Sequence, residues 1–319
     1  MKIDRKGLFF FFSGLAGLFF LINQNGESSQ ASYFVPLKIE GFTSAAIPYF
    51  EMTVENKSIR AKLDLGYQGS LTLPTEFIQK LSRKRLHGSE FSYGMKGKTY
   101  EKDVYEIPGI KIGPMAFFRI FAEEASLEFE RDVKFGKKDE NIEEDSAVLG
   151  LCTLYRFNFL LDCLHQSLIL CDSLQTLKKH GYPIESFTET PLLFDRRFFE
   201  FEAVSDMGTL RCLLDTGCTL NFLNKDEEDN SHMVLRGDID QLHVFNPENE
   251  DLMSIDLDKE CKLTTFQIGN KDFGSMYFDR IKSPLDIDAL IGMEFFKKTA
   301  VFFDMQNRKV YFWKPSDDD

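Results

Sequence analysis

The most informative segment for the fold is residues 209–217, Thr209-Leu210-Arg211-Cys212-Leu213-Leu214-Asp215-Thr216-Gly217. In it a largely apolar strand leads into an aspartate, with a glycine two residues later. Glycine allows the backbone to bend sharply and to approach its neighbours closely. Upstream, Phe199, Phe201 and Ala203 alternate with charged or polar residues, and a turn begins at Met207. This alternation is typical of a strand with one buried face. The pattern therefore predicts a hairpin that presents Asp215 on a tight turn.

The same pattern occurs a second time, nearer the N-terminus. Residues 50–54 alternate, a turn begins at Asn56, and residues 59–63 lead into Asp64-Leu65-Gly66. In both copies the turn begins eight residues before the aspartate. Three more landmarks recur in the same order: Ile110-Lys111-Ile112-Gly113 with Phe266-Gln267-Ile268-Gly269, Ala147-Val148-Leu149-Gly150 with Ala289-Leu290-Ile291-Gly292, and an apolar strand that reaches Asp162 or Asp304. The chain therefore reads as a mostly β tandem duplication.

The duplication suggests that the two aspartates act together. Two related loops can meet across a pseudo-twofold axis, which would place Asp64 beside Asp215. Like charges at that distance cannot both ionise cheaply, so the pair would share a proton. One carboxylate could then activate a water as a general base while the other donates to a carbonyl oxygen. We expect amide hydrolysis without a metal, a cofactor or a nucleophilic side chain.

The motifs Leu214-Asp215-Thr216-Gly217 and Ala289-Leu290-Ile291-Gly292 resemble the signature of aspartic proteases, over about residues 47–313. The resemblance implies two tandem retropepsin-like β-barrel lobes related by pseudo-twofold symmetry and fused in one chain, as in pepsin. It implies that Asp64 and Asp215 form the catalytic dyad. Supporting or substrate-binding roles are implied for Gly66, Thr216, Gly217, Gly150 and Gly292, with Thr216 as a hydroxyl that braces the loops.

A flap should close over the substrate. Residues 91–98 are the candidate, because Tyr93-Gly94 is similar to the pair in pepsin-like flaps and Gly97 adds a second turn residue. An ordinary exposed hairpin is the alternative. The equivalent region of the second copy, residues 226–260, is acidic and offers only Gly237 as a tip, so one flap is expected.

Two residues of the first copy depart from the family pattern. Leu65 replaces the threonine whose hydroxyl would bond across to the partner loop, and Tyr67 stands where a small residue is usual. The resulting hypothesis is an aspartic-type endopeptidase. The alternative is a catalytically inactive protein of the same fold that only binds peptides.

The N-terminus predicts export. Basic residues precede an apolar run over residues 8–22, which is shorter than most membrane-spanning helices, and Ser29-Gln30-Ala31 offers a cleavage site. We expect residues 1–31 to be a signal peptide or an uncleaved membrane anchor, 32–178 the N-terminal lobe and 179–319 the C-terminal lobe. The protein would then be periplasmic, secreted or membrane-anchored.

The composition excludes several classes of binding partner and catalytic site. The chain of 319 residues carries 38 Lys and Arg against 51 Asp and Glu, a net charge of −13, which disfavours nucleic acid as a ligand. Its six cysteines lack zinc-site or redox-motif spacing. Its five histidines share no spacing that would suit a Ser/His or Cys/His hydrolase. We expect a two-lobed monomer with a polypeptide substrate.

Overall fold

The computed structural model describes residues 32–40, 47–93, 99–125, 146–193, 198–224, 233–235, 254–282 and 285–315. Ala31–Asp319 form one structural unit. The predicted N-terminal segment, residues 1–31, lies outside the described residues. Among the residues that are described, no helix has the length and apolar character needed to cross a membrane.

The first repeat folds into an eight-stranded sheet that closes on itself. Its order is β2-β3-β4-β9-β5-β8-β7-β6, and β3 also pairs with β7, which joins six of the strands into a barrel. Alternate residues of β3 face the interior, as the sequence pattern predicts. The strands are β2 (Lys38–Glu40), β3 (Ile47–Val54), β4 (Lys57–Leu63), β5 (Leu71–Pro74), β6 (Arg85–Tyr93), β7 (Thr99–Ile112), β8 (Met115–Ala125) and β9 (Ala147–Leu149).

The second repeat forms a nine-stranded sheet with matching topology. Its order is β16-β17-β20-β15-β21-β14-β13-β18-β19. In both lobes, the strand that leads into the aspartate lies beside the strand that leads into the glycine of the Ala-x-x-Gly motif, Gly150 or Gly292. Those pairings are parallel, with Leu63 opposite Leu149 and Leu214 opposite Ile291. The strands are β13 (Glu200–Ser205), β14 (Gly208–Leu214), β15 (Phe222–Leu223), β16 (Met233–Leu235), β17 (Ser254–Leu263), β18 (Phe266–Ile268), β19 (Lys271–Asp272), β20 (Met276–Lys282) and β21 (Ala289–Ile291).

A third sheet of six strands joins the two lobes. Its strands, in spatial order, are β1 (Ser32–Pro36), β11 (Ser167–Cys171), β10 (Phe159–Asp162), β22 (Ala300–Asp304), β23 (Lys309–Trp313) and β12 (Thr188–Pro191). The equivalent strands β10 and β22 pair antiparallel at its centre, where Phe159 and Phe303 stack with ring centroids 4.6 Å apart. The pseudo-twofold axis passes between these two strands. The predicted mostly β, two-lobed, duplicated fold is confirmed.

Helices are short. Among the described residues, the α-helical segments are Thr75–Gln79, Leu151–Leu154 and Met293–Phe296, and 3₁₀ segments cover Leu174–His180 and Ile184–Ser186. The sequence predicts a helix over residues 74–86, which is wrong beyond Gln79. The Glu55 carboxylate accepts hydrogen bonds from the backbone N–H groups of Ser82 and Arg83, and β6 begins at Arg85. Tertiary contacts thus override the local helical pattern.

Candidate active site

Each aspartate directly follows the strand that presents it. The backbone N–H of Asp64 donates to the Leu149 carbonyl at 3.0 Å, and the N–H of Asp215 donates to the Ile291 carbonyl at 3.0 Å. These bonds continue the parallel pairing of β4 with β9 and of β14 with β21 by one residue. Both loops are therefore anchored to the strands of the Ala-x-x-Gly motifs.

The two loops meet so closely that each glycine packs against the partner's carboxyl group. A Cβ atom on Gly66 would lie 2.5 Å from the Asp215 carboxyl carbon, and one on Gly217 would lie 2.4 Å from Asp64 Oδ1. No side chain fits in either space. The structure thus brings Asp64, Asp215, Gly66 and Gly217 together, as the duplication predicts for a dyad.

Hydrogen bonds within each loop orient the carboxyl groups in the same way. The Gly66 N–H donates to Asp64 Oδ1 at 3.0 Å, and the Gly217 N–H donates to Asp215 Oδ1 at 2.8 Å. Each side chain therefore has one oxygen fixed by its own loop. The second oxygen of each carboxyl group can interact with other groups.

Thr216 braces one loop against the other. Its buried hydroxyl donates to the Leu63 carbonyl at 2.7 Å and accepts from the Leu65 N–H at 3.1 Å. Leu65 is fully buried and has no hydroxyl with which to return such bonds. The brace is therefore one-sided.

Gly150 and Gly292 pack closely against the two aspartate loops. A Cβ atom on Gly150 would lie 2.4 Å from the Gly69 carbonyl oxygen, and one on Gly292 would lie 2.1 Å from that of Leu220. The loop carbonyls of Tyr67 and Cys218 accept bonds from the first N–H groups of the helical segments that follow these glycines, both at 2.9 Å. Only glycine allows the loops to rest so closely on these segments.

Tyr67 occupies space beside this support instead of a small residue. A Cβ on Gly150 would also lie 2.4 Å from the Tyr67 ring. Burial, together with the nearby Glu123 carboxylate, raises the pKa of Tyr67 well above its usual value. The phenol therefore stays neutral next to the loop.

Lys62 is the residue of the site that sequence reasoning missed. Its ammonium lies 2.9 Å from Asp64 Oδ2, and the two side chains are 21% and 15% exposed. Burial alone would lower the pKa of Lys62, but the charge and hydrogen bond of Asp64 outweigh burial and raise it. A lysine in an alternating strand ordinarily faces solvent, so its position two residues before Asp64 is the one signal that could have revealed it.

The electrostatics differ between the two aspartates. Burial and the negative charge of Asp64 raise the pKa of Asp215 from 3.8 to about 7, although the Lys62 ammonium opposes this rise. Asp215 therefore holds a proton over much of the acidic range. A close carboxyl pair that shares a proton can supply both the acid and the base for hydrolysis without a metal.

The strands that flank the predicted flap form a hairpin, which fits both a flap and an ordinary exposed hairpin. β6 and β7 pair antiparallel as far as Tyr93 opposite Thr99. Tyr93 is the last residue of β6, while Gly94 and the rest of the tip, residues 94–98, lie outside the described residues. Most of residues 226–260 of the second copy also lie outside, so the expectation of a single flap stays a prediction.

Comparison with known proteins supports the fold. No protein-family model matches the chain, and no curated protein matches it. Among solved structures, the chain is similar to basic 7S globulin from soybean, with a TM-score of 0.56 and 12% identity, over 90% of this chain and 96% of that one. The fold is pepsin-like. At this identity the likeness establishes the fold and no activity.

Proposed function

We propose that the protein is an aspartic-type endopeptidase that hydrolyses peptide bonds through a water held between Asp64 and Asp215. The observation that carries the proposal is the mutual packing of each carboxyl group on the other loop's glycine. This packing leaves the two carboxyl groups within reach of one another, and hydrogen bonding to Asp64 contributes to the raised pKa of Asp215. One protonated and one ionised carboxyl group supply an acid and a base at one point.

The hairpin of β6 and β7 supports a polypeptide substrate. An extended peptide between this hairpin and the aspartate loops could add as a strand, which uses backbone hydrogen bonds that any sequence offers. Closure of a hairpin over the site would exclude water other than the reacting one. Export through residues 1–31 belongs to the same proposal.

A non-catalytic peptide-binding protein is the second candidate. Two observations favour it: Leu65 leaves the brace one-sided, and the Lys62 ammonium occupies Asp64 Oδ2. A cation on the oxygen that would accept a proton from water weakens a general base.

Cleavage of an unfolded protein by the full chain at about pH 5 distinguishes the two candidates. We expect cleavage by the wild type and by Asp286→Asn, a surface control whose exposed carboxylate pairs with Arg211. The cleavage rates of Asp64→Asn and Asp215→Asn should be lower by a factor of at least about 10³. If none of the four proteins cleaves while all bind the unfolded chain, the peptide-binding function replaces the peptidase.

A further inference from the structure

The duplicated site contains one residue that breaks its symmetry. Lys62 lies two residues before Asp64, and its counterpart two residues before Asp215 is Leu213. Leu213 is 1% exposed. The first copy thus brings a cation to the dyad at a position where the second copy brings an apolar side chain.

The cation makes the two carboxyl groups inequivalent. Both oxygens of Asp64 are engaged, Oδ1 by the Gly66 N–H and Oδ2 by the Lys62 ammonium. For Asp215, Oδ1 accepts from the Gly217 N–H. An ion pair and a hydrogen bond together favour the charged form of the carboxyl group that receives both.

A phenol, a thiol and a guanidinium also lie near Lys62 or the dyad. Tyr49 on β3 lies opposite Lys62 in the strand pairing, and Cys218 follows the second loop. Burial and the charge of Asp215 raise the pKa of the Cys218 thiol well above its usual value. Arg60, two residues before Lys62 on β4, lies 3.9 Å from the centre of the Tyr49 ring. The Lys62 ammonium, which contacts the carboxyl pair, lies on the Asp64 side.

We propose that Lys62 is a positioning residue that keeps the negative charge of the dyad on Asp64 and its proton on Asp215. The hydrolytic consequence, which rests on the proposed function, is a fixed division of labour. Asp64 takes a proton from the attacking water, and Asp215 donates its proton to the carbonyl oxygen. The water oxygen bonds to the carbonyl carbon, so one proton moves onto Asp64 and one leaves Asp215. The placement of the charge itself does not depend on catalysis.

Thermal unfolding at about pH 5.5 tests the charge placement without any activity. Asp64→Asn removes the partner of a largely buried ammonium, so we expect its Tm to fall by about 5 °C. Asp215→Asn replaces a protonated carboxyl group with a neutral amide of the same shape, so its Tm should not fall. It should rise by about 2–5 °C, because the carboxyl group that it replaces is ionised in the unfolded chain at this pH. Combining Asp64→Asn with Lys62→Leu, which installs the residue of the other copy, should recover most of the loss. Equal effects of the two Asn variants, or no recovery in the double variant, would overturn the proposal.

The pH dependence of cleavage tests the catalytic consequence. The ammonium lowers the pKa of Asp215, so Lys62→Leu should move the alkaline limb of kcat/KM upward by about one pH unit. Lys62→Arg should keep the limb in place, and Lys57→Leu, at the exposed start of the same strand, is the matched control. An unshifted limb in Lys62→Leu contradicts the proposal. If no variant cleaves at any pH, the proposed function fails while the unfolding comparison still decides the role of Lys62.

Discussion

The Thr216 hydroxyl stabilises the fold, and the hydrogen bonds that it forms give the expected cost of removing it. Thr216→Val keeps the shape of the side chain but removes the hydroxyl that bonds to the Leu63 carbonyl at 2.7 Å and to the Leu65 N–H at 3.1 Å. Each lost hydrogen bond costs about 1 kcal/mol, and each buried group left without a partner adds a desolvation cost. The expected loss is about 2–4 kcal/mol in the free energy of unfolding. For a chain of this size that lowers Tm by about 4–8 °C.

The assay is thermal or urea unfolding of the full chain at about pH 5.5, with Thr216→Ser as the control. Serine keeps the hydroxyl and loses only a methyl group, so Thr216→Ser should retain most of the stability. Since Leu65 has no hydroxyl, it cannot replace the lost hydrogen bonds. A Thr216→Val protein within about 0.5 kcal/mol of wild type, or a serine variant as unstable as the valine variant, would refute the reasoning.

Three further predictions concern the dyad and the thiols. The raised pKa of Asp215 contributes stability that is fully present below its unfolded pKa of about 4 and is lost as pH rises through about 7. In urea unfolding, the free energy of unfolding of Asp215→Asn should therefore exceed that of the wild type by up to about 4 kcal/mol at pH 8 and by little at pH 4. An equal difference at both pH values would contradict the raised pKa of Asp215. Gly217→Ala forces a Cβ against Asp64 and should abolish cleavage in the folded protein, whereas Gly208→Ala, which adds only turn strain at φ 94°, should lower Tm and keep the rate of the folded fraction; equal rates in the two variants would count against the packing argument. None of the six cysteines forms a disulfide and Cys152 is the exposed one, so a thiol reagent should modify Cys152 of the native protein before the other five, and reductant should leave Tm unchanged; a large fall in Tm with reductant would point to a disulfide.

Much of the fold was predictable because the duplication repeats order, residue type and spacing together. Residues on either side of Asp64 and Asp215 predict the two loops, and the Gly150 and Gly292 motifs predict the strands beside them. Local patterns of this kind specify which strands end at the site, and symmetry then implies that the loops meet.

Other features depend on contacts that a local pattern does not contain. β1, Ser32–Pro36, pairs with β11 in the sheet between the lobes, although nothing in its short sequence indicates a partner. The helix predicted over residues 74–86 ends at Gln79, after which Glu55 binds the chain from outside the segment. The alternation of β4 does not predict the role of Lys62, because it assigns a charged residue to the solvent face of the strand. In the structure, that face of β4 lies against the dyad.

The most direct test of the central claim is the pH dependence of kcat/KM for peptide cleavage by the full chain, measured from about pH 3 to 9 with Asp215→Asn alongside. A dyad that works with one proton on Asp215 predicts cleavage that falls as the pH rises through about 7, and no cleavage by the Asn variant. Wild-type cleavage that persists undiminished to pH 9, or that Asp215→Asn matches, would contradict the claim that Asp64 and Asp215 form a catalytic pair.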